Sequence, residues 1–175
     1  LDPARLRQAE ARFKLGLQEG EATVADLVAA IDGARITGGG NWRAGPRPLY
    51  GLGLTIDRLD LDGLLDALPA PRALSAPTTG FDVNLRLAAN RAAWRGHSAE
   101  RAGLDLSLEN GRLALRRLGF RLGEVELLGA GAAQLGSSPR LQDASVELSG
   151  SSGTALATLL PAELAPLVAD RLALK

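Results

Sequence analysis

Leu104-Asp105-Leu106-Ser107-Leu108-Glu109-Asn110-Gly111-Arg112-Leu113-Ala114-Leu115 is two alternating runs about an Asn-Gly pair. Asn and Gly accept the positive φ angles of a type I′ turn, so the sequence predicts a two-residue hairpin. That register sets Glu109 opposite Arg112, Leu108 opposite Leu113 and Leu106 opposite Leu115. One face of the ribbon is then aliphatic and the other polar. A sheet made this way carries an apolar face and no reactive constellation, which points away from enzymes.

The device recurs along the chain. Phe13-Lys14-Leu15-Gly16-Leu17 alternates before Glu19-Gly20, and Leu27, Ala29 and Ile31 alternate up to Asp32-Gly33, a second hairpin signal. Ala34 and Ile36 follow. Gly38-Gly39-Gly40 reads as a bulge or bend rather than a regular strand. Leu52, Leu54 and Ile56 resume the pattern, with Leu59 and Leu61 offset from it. Phe81-Asp82-Val83-Asn84-Leu85-Arg86-Leu87 places its apolar side chains on odd positions. Leu118, Phe120 and Leu122 run into Gly123-Glu124, a glycine-first turn suited to type II′, after which Val125 and Leu127 return with Arg121 opposite Glu126. Ala144-Ser145-Val146-Glu147-Leu148 is the last clear strand.

Helical signals are few. Asp62 caps a short turn over 63–68 that Pro69 stops, and 154–160 stops in the same way at Pro161. Leu164, Leu167, Val168 and Leu172 have helical spacing. The mixed charges around them favour packing over the sheet end, with a membrane-surface helix as the other reading.

An internal repeat organises these elements. Ile36-Thr37-Gly38-Gly39-Gly40, Pro46-Arg47, a strand and Leu64-Leu65-Asp66-Ala67-Leu68-Pro69 parallel Leu127-Leu128-Gly129-Ala130-Gly131, Pro139-Arg140, a strand and Leu156-Ala157-Thr158-Leu159-Leu160-Pro161. Residues 1–68 form a first unit, 69–80 a proline-rich linker and 81–175 a second unit with a C-terminal helix. The expected fold class is α+β, mostly β: a twisted antiparallel sheet of repeated β-meander units with short capping helices and a partly open groove. A closed sandwich, with the same residues as core, is the competing architecture.

Composition narrows the chemistry. Lys and Arg number 20, as do Asp and Glu, so the formal charge is zero and no global field recruits nucleic acid. Arg116-Arg117 is too short for a basic tract and reads as solvated strand ends. Hydrophobic residues make up 46% and aromatics 3%, so any apolar face is built from Leu, Ala, Val and Ile; a high-GC genome would bias composition the same way. Without cysteine there is no disulfide, thiolate metal site or cysteine nucleophile. The lack of methionine, even at position 1, points to a piece of a longer protein, and an anchor or leader would lie upstream.

Candidate reactive groups fail on spacing. His97 is the single histidine, which leaves no zinc pair and no triad beyond itself, and it reads as a solvated loop residue. Asp57, Asp60 and Asp62 lack the ligand spacing of a calcium loop. Gly51-Leu52-Gly53 and Gly129-Ala130-Gly131 lack the third glycine of a dinucleotide fingerprint. Trp42 and Trp94 read as caps on a core edge, with anchoring at a lipid interface as the other role. No catalytic, metal or cofactor site is expected. The candidate lipid-facing residues are Leu85, Leu87, Leu104, Leu106, Leu108, Leu113, Leu115, Phe120 and Leu122.

Asp32-Gly33-Ala34-Arg35-Ile36-Thr37-Gly38, Leu59-Asp60-Leu61-Asp62-Gly63-Leu64-Leu65 and Glu109-Asn110-Gly111-Arg112-Leu113, taken with Gly129-Ala130-Gly131, resemble the AsmA family of bacterial envelope proteins. The resemblance runs from about Phe13 to Leu160. It implies a periplasmic module tethered to the inner membrane by a segment outside this chain, with an apolar groove for phospholipid or lipopolysaccharide acyl chains and a part in outer-membrane biogenesis. Envelope proteins are the other implied partners. The alternative is an assembly scaffold whose sheet edges pair with neighbouring segments or partner proteins without binding lipid.

Overall fold

A computed structural model describes residues 8–60, 80–94, 97–136 and 140–150. Nine strands form one sheet in sequence order: β1 (Ala9–Gln18), β2 (Glu21–Ile31), β3 (Ala34–Arg43), β4 (Leu49–Asp60), β5 (Asp82–Trp94), β6 (His97–Glu109), β7 (Arg112–Leu122), β8 (Val125–Gln134) and β9 (Arg140–Ser149). The described residues are all-β and contain neither a helix nor a second sheet. The expected α+β class is corrected to that extent, and the helices expected over 62–68, 154–160 and 164–172 lie outside the described residues, as does all of the linker but Gly80.

Turn chemistry sets the register as the sequence requires. Asn110 and Gly111 take φ of 51° and 75°, and Asp32 and Gly33 take 48° and 80°, so both pairs make the positive-φ turn that matches strand twist. Leu106 faces Leu115, Leu108 faces Leu113 and Glu109 faces Arg112. Gly123, at φ 58°, leads the β7–β8 turn and sets Arg121 opposite Glu126.

Seven of the eight pairings are antiparallel. The β4–β5 seam is parallel, with Leu49 beside Asp82 and Leu54 beside Leu87, so the sheet is mixed rather than antiparallel throughout. A parallel neighbour needs a crossover connection, and residues 61–79, which join the two strands in sequence, lie outside the described residues. At the start of the seam, Arg47 donates through Nε (3.1 Å) and Nη2 (2.5 Å) to Asp82 Oδ1, which also accepts the Asn110 amide at 3.0 Å. Arg47 Nη2 donates to the Phe81 carbonyl at 3.0 Å, and the Asp82 amide to the Pro48 carbonyl at 2.8 Å. One carboxylate thus ties the β3–β4 loop, the start of β5 and the β6–β7 hairpin together. The Arg47 fork and the Asn110 amide hold its pKa below the ordinary carboxylate value against the opposing effect of burial.

Bulges keep the apolar face continuous. Leu113 and Leu115 are odd-numbered whereas Leu118, Phe120 and Leu122 are even-numbered, a parity change that would otherwise send one group to the opposite face. The register shift between Leu115 and Leu118 inserts one residue of β7 against both neighbours and returns Leu118 to the side of Leu115. Arg116 and Arg117 therefore occupy a bulge inside β7 and are not strand ends. On β2, the shift between Val24 and Leu27 inserts one residue, with Asp26 at φ 52°. These bulges lie 91 residues apart, as do Gly20 and Gly111, so the repeat extends to the first turn of each series.

Gly38-Gly39-Gly40 is not the expected bend. These residues pair without interruption against Leu54, Gly53 and Leu52, and the irregularity belongs to β2. Glycine is required because the neighbouring backbones come close: a Cβ on Gly38, at φ 152°, would lie 2.0 Å from the Gly53 carbonyl oxygen, and one on Gly39 would lie 2.6 Å from that of Val24.

Candidate functional site: an aliphatic sheet face

Following the pairings from strand to strand gives rows of side chains that share one face. The first is Leu17, Ala22, Trp42, Tyr50, Val83, Leu108, Leu113, Ala133 and Leu141, one residue from each strand. The second is Leu15, Val24, Gly40, Leu52, Leu85, Leu106, Leu115, Gly131 and Ala144. The third, from β2 to β9, is Leu27, Gly38, Leu54, Leu87, Leu104, Leu118, Gly129 and Val146. No charged side chain interrupts these rows. Eight of the nine residues singled out from the sequence are half-buried, Leu108 is buried, and seven of the nine fall in the three rows. Phe120, opposite Leu127, and Leu122, opposite Val125, continue the face toward the β7–β8 turn.

The face changes character along the strands. At the end bearing the Asp32-Gly33 and Gly123-Glu124 turns, Ala29, Ile56, Ala89, Ala92, Ala99 and Val125 are all buried. At the opposite end, Leu17 is 70% exposed, Tyr50 46%, Phe81 40%, Trp42 37% and Leu141 75%. Phe81 meets Tyr50 edge-on with ring centroids 6.1 Å apart. Trp42 is thus an exposed rim residue, and three of the chain's six aromatic residues gather there. Sequence reasoning missed this cluster because Trp42, Tyr50 and Phe81 belong to separate segments; only the β3–β4 register and the parallel seam bring them together.

The reverse face is polar and paired. Asp105 Oδ2 accepts from Arg86 Nε at 3.2 Å and Nη2 at 2.8 Å, while Arg116 Nη1 lies 3.3 Å from Oδ1. The Arg86 hydrogen bonds lower the Asp105 pKa, opposed by burial and assisted by Arg116. A shallow hollow of about 480 Å³ lies here, lined by Gly39, Gly51, Gly53, Asn84, Arg86 and Asp105 among others. Its floor includes the Asn84 Oδ1, buried without a hydrogen-bond partner. This hollow lies mainly on the face opposite the aliphatic rows, with Val24, Leu52 and Leu85 of the second row also bordering it. It exists because glycine leaves space: a Cβ on Gly53 would meet nothing within 4 Å.

Other candidates are used structurally or lie apart. Asp57 Oδ1 accepts the Arg35 amide at 2.7 Å, Asp60 ends β4, and Asp62 lies outside the described residues. Among the described residues no group of three His, Asp or Glu side chains is placed to hold a metal ion. His97 is not in a loop: it opens β6 and pairs with Trp94 in the ladder.

No family model, curated protein or solved structure matches the chain.

Proposed function

We propose that this chain is a non-enzymatic, AsmA-like module of the bacterial envelope whose aliphatic face takes up phospholipid or lipopolysaccharide acyl chains. In this reading it sits in the periplasm, tethered to the inner membrane by a segment outside the chain, and serves lipid traffic toward the outer membrane. The observation that carries the reading is the run of three aliphatic rows across the sheet, with Leu52, Leu118 and Val146 at 43%, 36% and 67% exposure. Apolar surface on this scale marks a binding surface in a folded protein. Acyl chains match it because burial yields about 25 cal/mol per Å² without polar recognition.

Native mass spectrometry of the purified chain, followed by lipid extraction, tests this. The expected result is co-purifying phospholipid that is lost in Leu106→Glu while the circular dichroism of the sheet is kept. Lipid-free wild-type protein would overturn the reading.

A second reading, an assembly scaffold, has its own observation. Every residue of β1 is exposed, and among the described residues both β1 and β9 carry an open backbone edge in the nine-stranded order. A proline at position 15, which removes an outward-pointing amide of β1, would disrupt assembly in this case and leave lipid content unchanged.

A further inference from the structure

The two ends of the aliphatic face differ in a way that assigns them different neighbours. We infer that the end carrying Trp42, Tyr50 and Phe81 docks on the surface of a lipid bilayer, as the lip through which acyl chains reach the face. This inference rests on the acyl-chain reading above and adds where the membrane sits. Trp and Tyr combine an apolar ring with a hydrogen-bonding tip, the chemistry that favours the boundary between headgroups and hydrocarbon. All three rings are 37–46% exposed, and Leu17 and Leu141 extend their row to both sheet edges at 70% and 75%. At the far end, Phe120 is half-buried and Ala29, Ile56, Ala89, Ala92, Ala99 and Val125 are buried.

Charge selects the kind of bilayer. Around the aromatic end the described residues supply Arg43, Arg47, Arg112 and Arg140 against Glu19, Glu21, Asp82 and Glu109. Arg43 pairs with Glu21 at 2.7 Å and Arg47 with Asp82. A balanced, internally paired rim gains little from an anionic surface. The partner that fits is a zwitterionic phosphatidylcholine or phosphatidylethanolamine surface entered by the rings, and its binding is insensitive to salt.

Flotation with phosphatidylcholine vesicles tests the assignment. Wild-type chain floats equally at low and high salt, and in Trp94→Phe protein the remaining Trp42 emission shifts to the blue on vesicle addition. The triple variant Trp42→Ala/Tyr50→Ala/Phe81→Ala lowers vesicle partitioning by at least about tenfold while keeping the circular dichroism of the sheet. Wild-type chain that carries lipid yet fails to float would overturn the docking assignment and leave the acyl-chain reading standing. Undiminished flotation of the triple variant would overturn it as well, as would flotation that needs anionic lipid. A wild-type dimer that the triple variant dissociates, with no vesicle binding, would give this end to a second copy instead.

Discussion

The two ends of the aliphatic face are built from the same alternation and differ in what fills it. At the closed end the apolar positions Ala29, Ala89, Ala92, Ala99, Ile56 and Val125 are all buried; at the open end Leu17, Trp42, Tyr50 and Leu141 are exposed, while Leu108 at the centre of the same row is buried. The aromatic rings of the open end thus reach solvent, whereas the closed end packs alanines around Ile56 and Val125. The contrast teaches that an apolar pattern alone does not identify a core.

The contrast can be broken by mutation. The largest effect is expected at the closed end, where Ile56→Ala should cost about 3 kcal/mol in urea unfolding, the ordinary range for deleting a buried aliphatic side chain. A loss below about 1 kcal/mol would mean that this end is not a packed core. Next comes Gly38→Ala, expected to cost about 2 kcal/mol because its Cβ would collide with the Gly53 carbonyl. Gly53→Ala, in the same pairing region but with open space around its Cβ, should be neutral or slightly stabilising.

A smaller effect is expected in acid at the open end. Folding holds Asp82 below its ordinary pKa of 3.8, so the unfolded chain takes up this proton first as the pH falls. The stabilisation from Asp82 is complete above the ordinary value and is lost as the pH drops through the folded one. Urea midpoints measured from about pH 6 down to about pH 2 should therefore fall less steeply in Asp82→Asn than in the wild type. Equal slopes would show that the Arg47 fork does not hold the seam. The smallest effect belongs to Leu17→Ala, which removes an exposed side chain from an edge strand and should change stability by no more than about 0.5 kcal/mol.

Much of this was legible in the sequence, for reasons that differ by element. Asn110-Gly111, Asp32-Gly33 and Gly123-Glu124 declare their turns because few residues accept positive φ, and register follows from the turns. The nine candidate residues reach one continuous face because alternation has a period of two; the bulge at Arg116-Arg117 repairs the one place where parity breaks. The parallel seam was not legible, since an alternating strand has the same signature in either orientation. Nor was the role of Gly38-Gly39-Gly40, whose absent side chains make room for carbonyls on neighbouring strands and do not bend their own. The aromatic lip depends on that same seam, which is why Tyr50 and Phe81 could not be joined in advance.

The most direct test of the central claim is photo-crosslinking of the purified chain to a phospholipid bearing a diazirine midway along one acyl chain, with the adducts mapped by peptide sequencing. Adducts are predicted on Leu52, Leu85, Leu87, Leu104, Leu106 and Leu115, with Arg86, Ser107 and Ala114 on the reverse of the same strands left unlabelled. Equal labelling of both faces, or adducts confined to the hollow around Asn84, would contradict it.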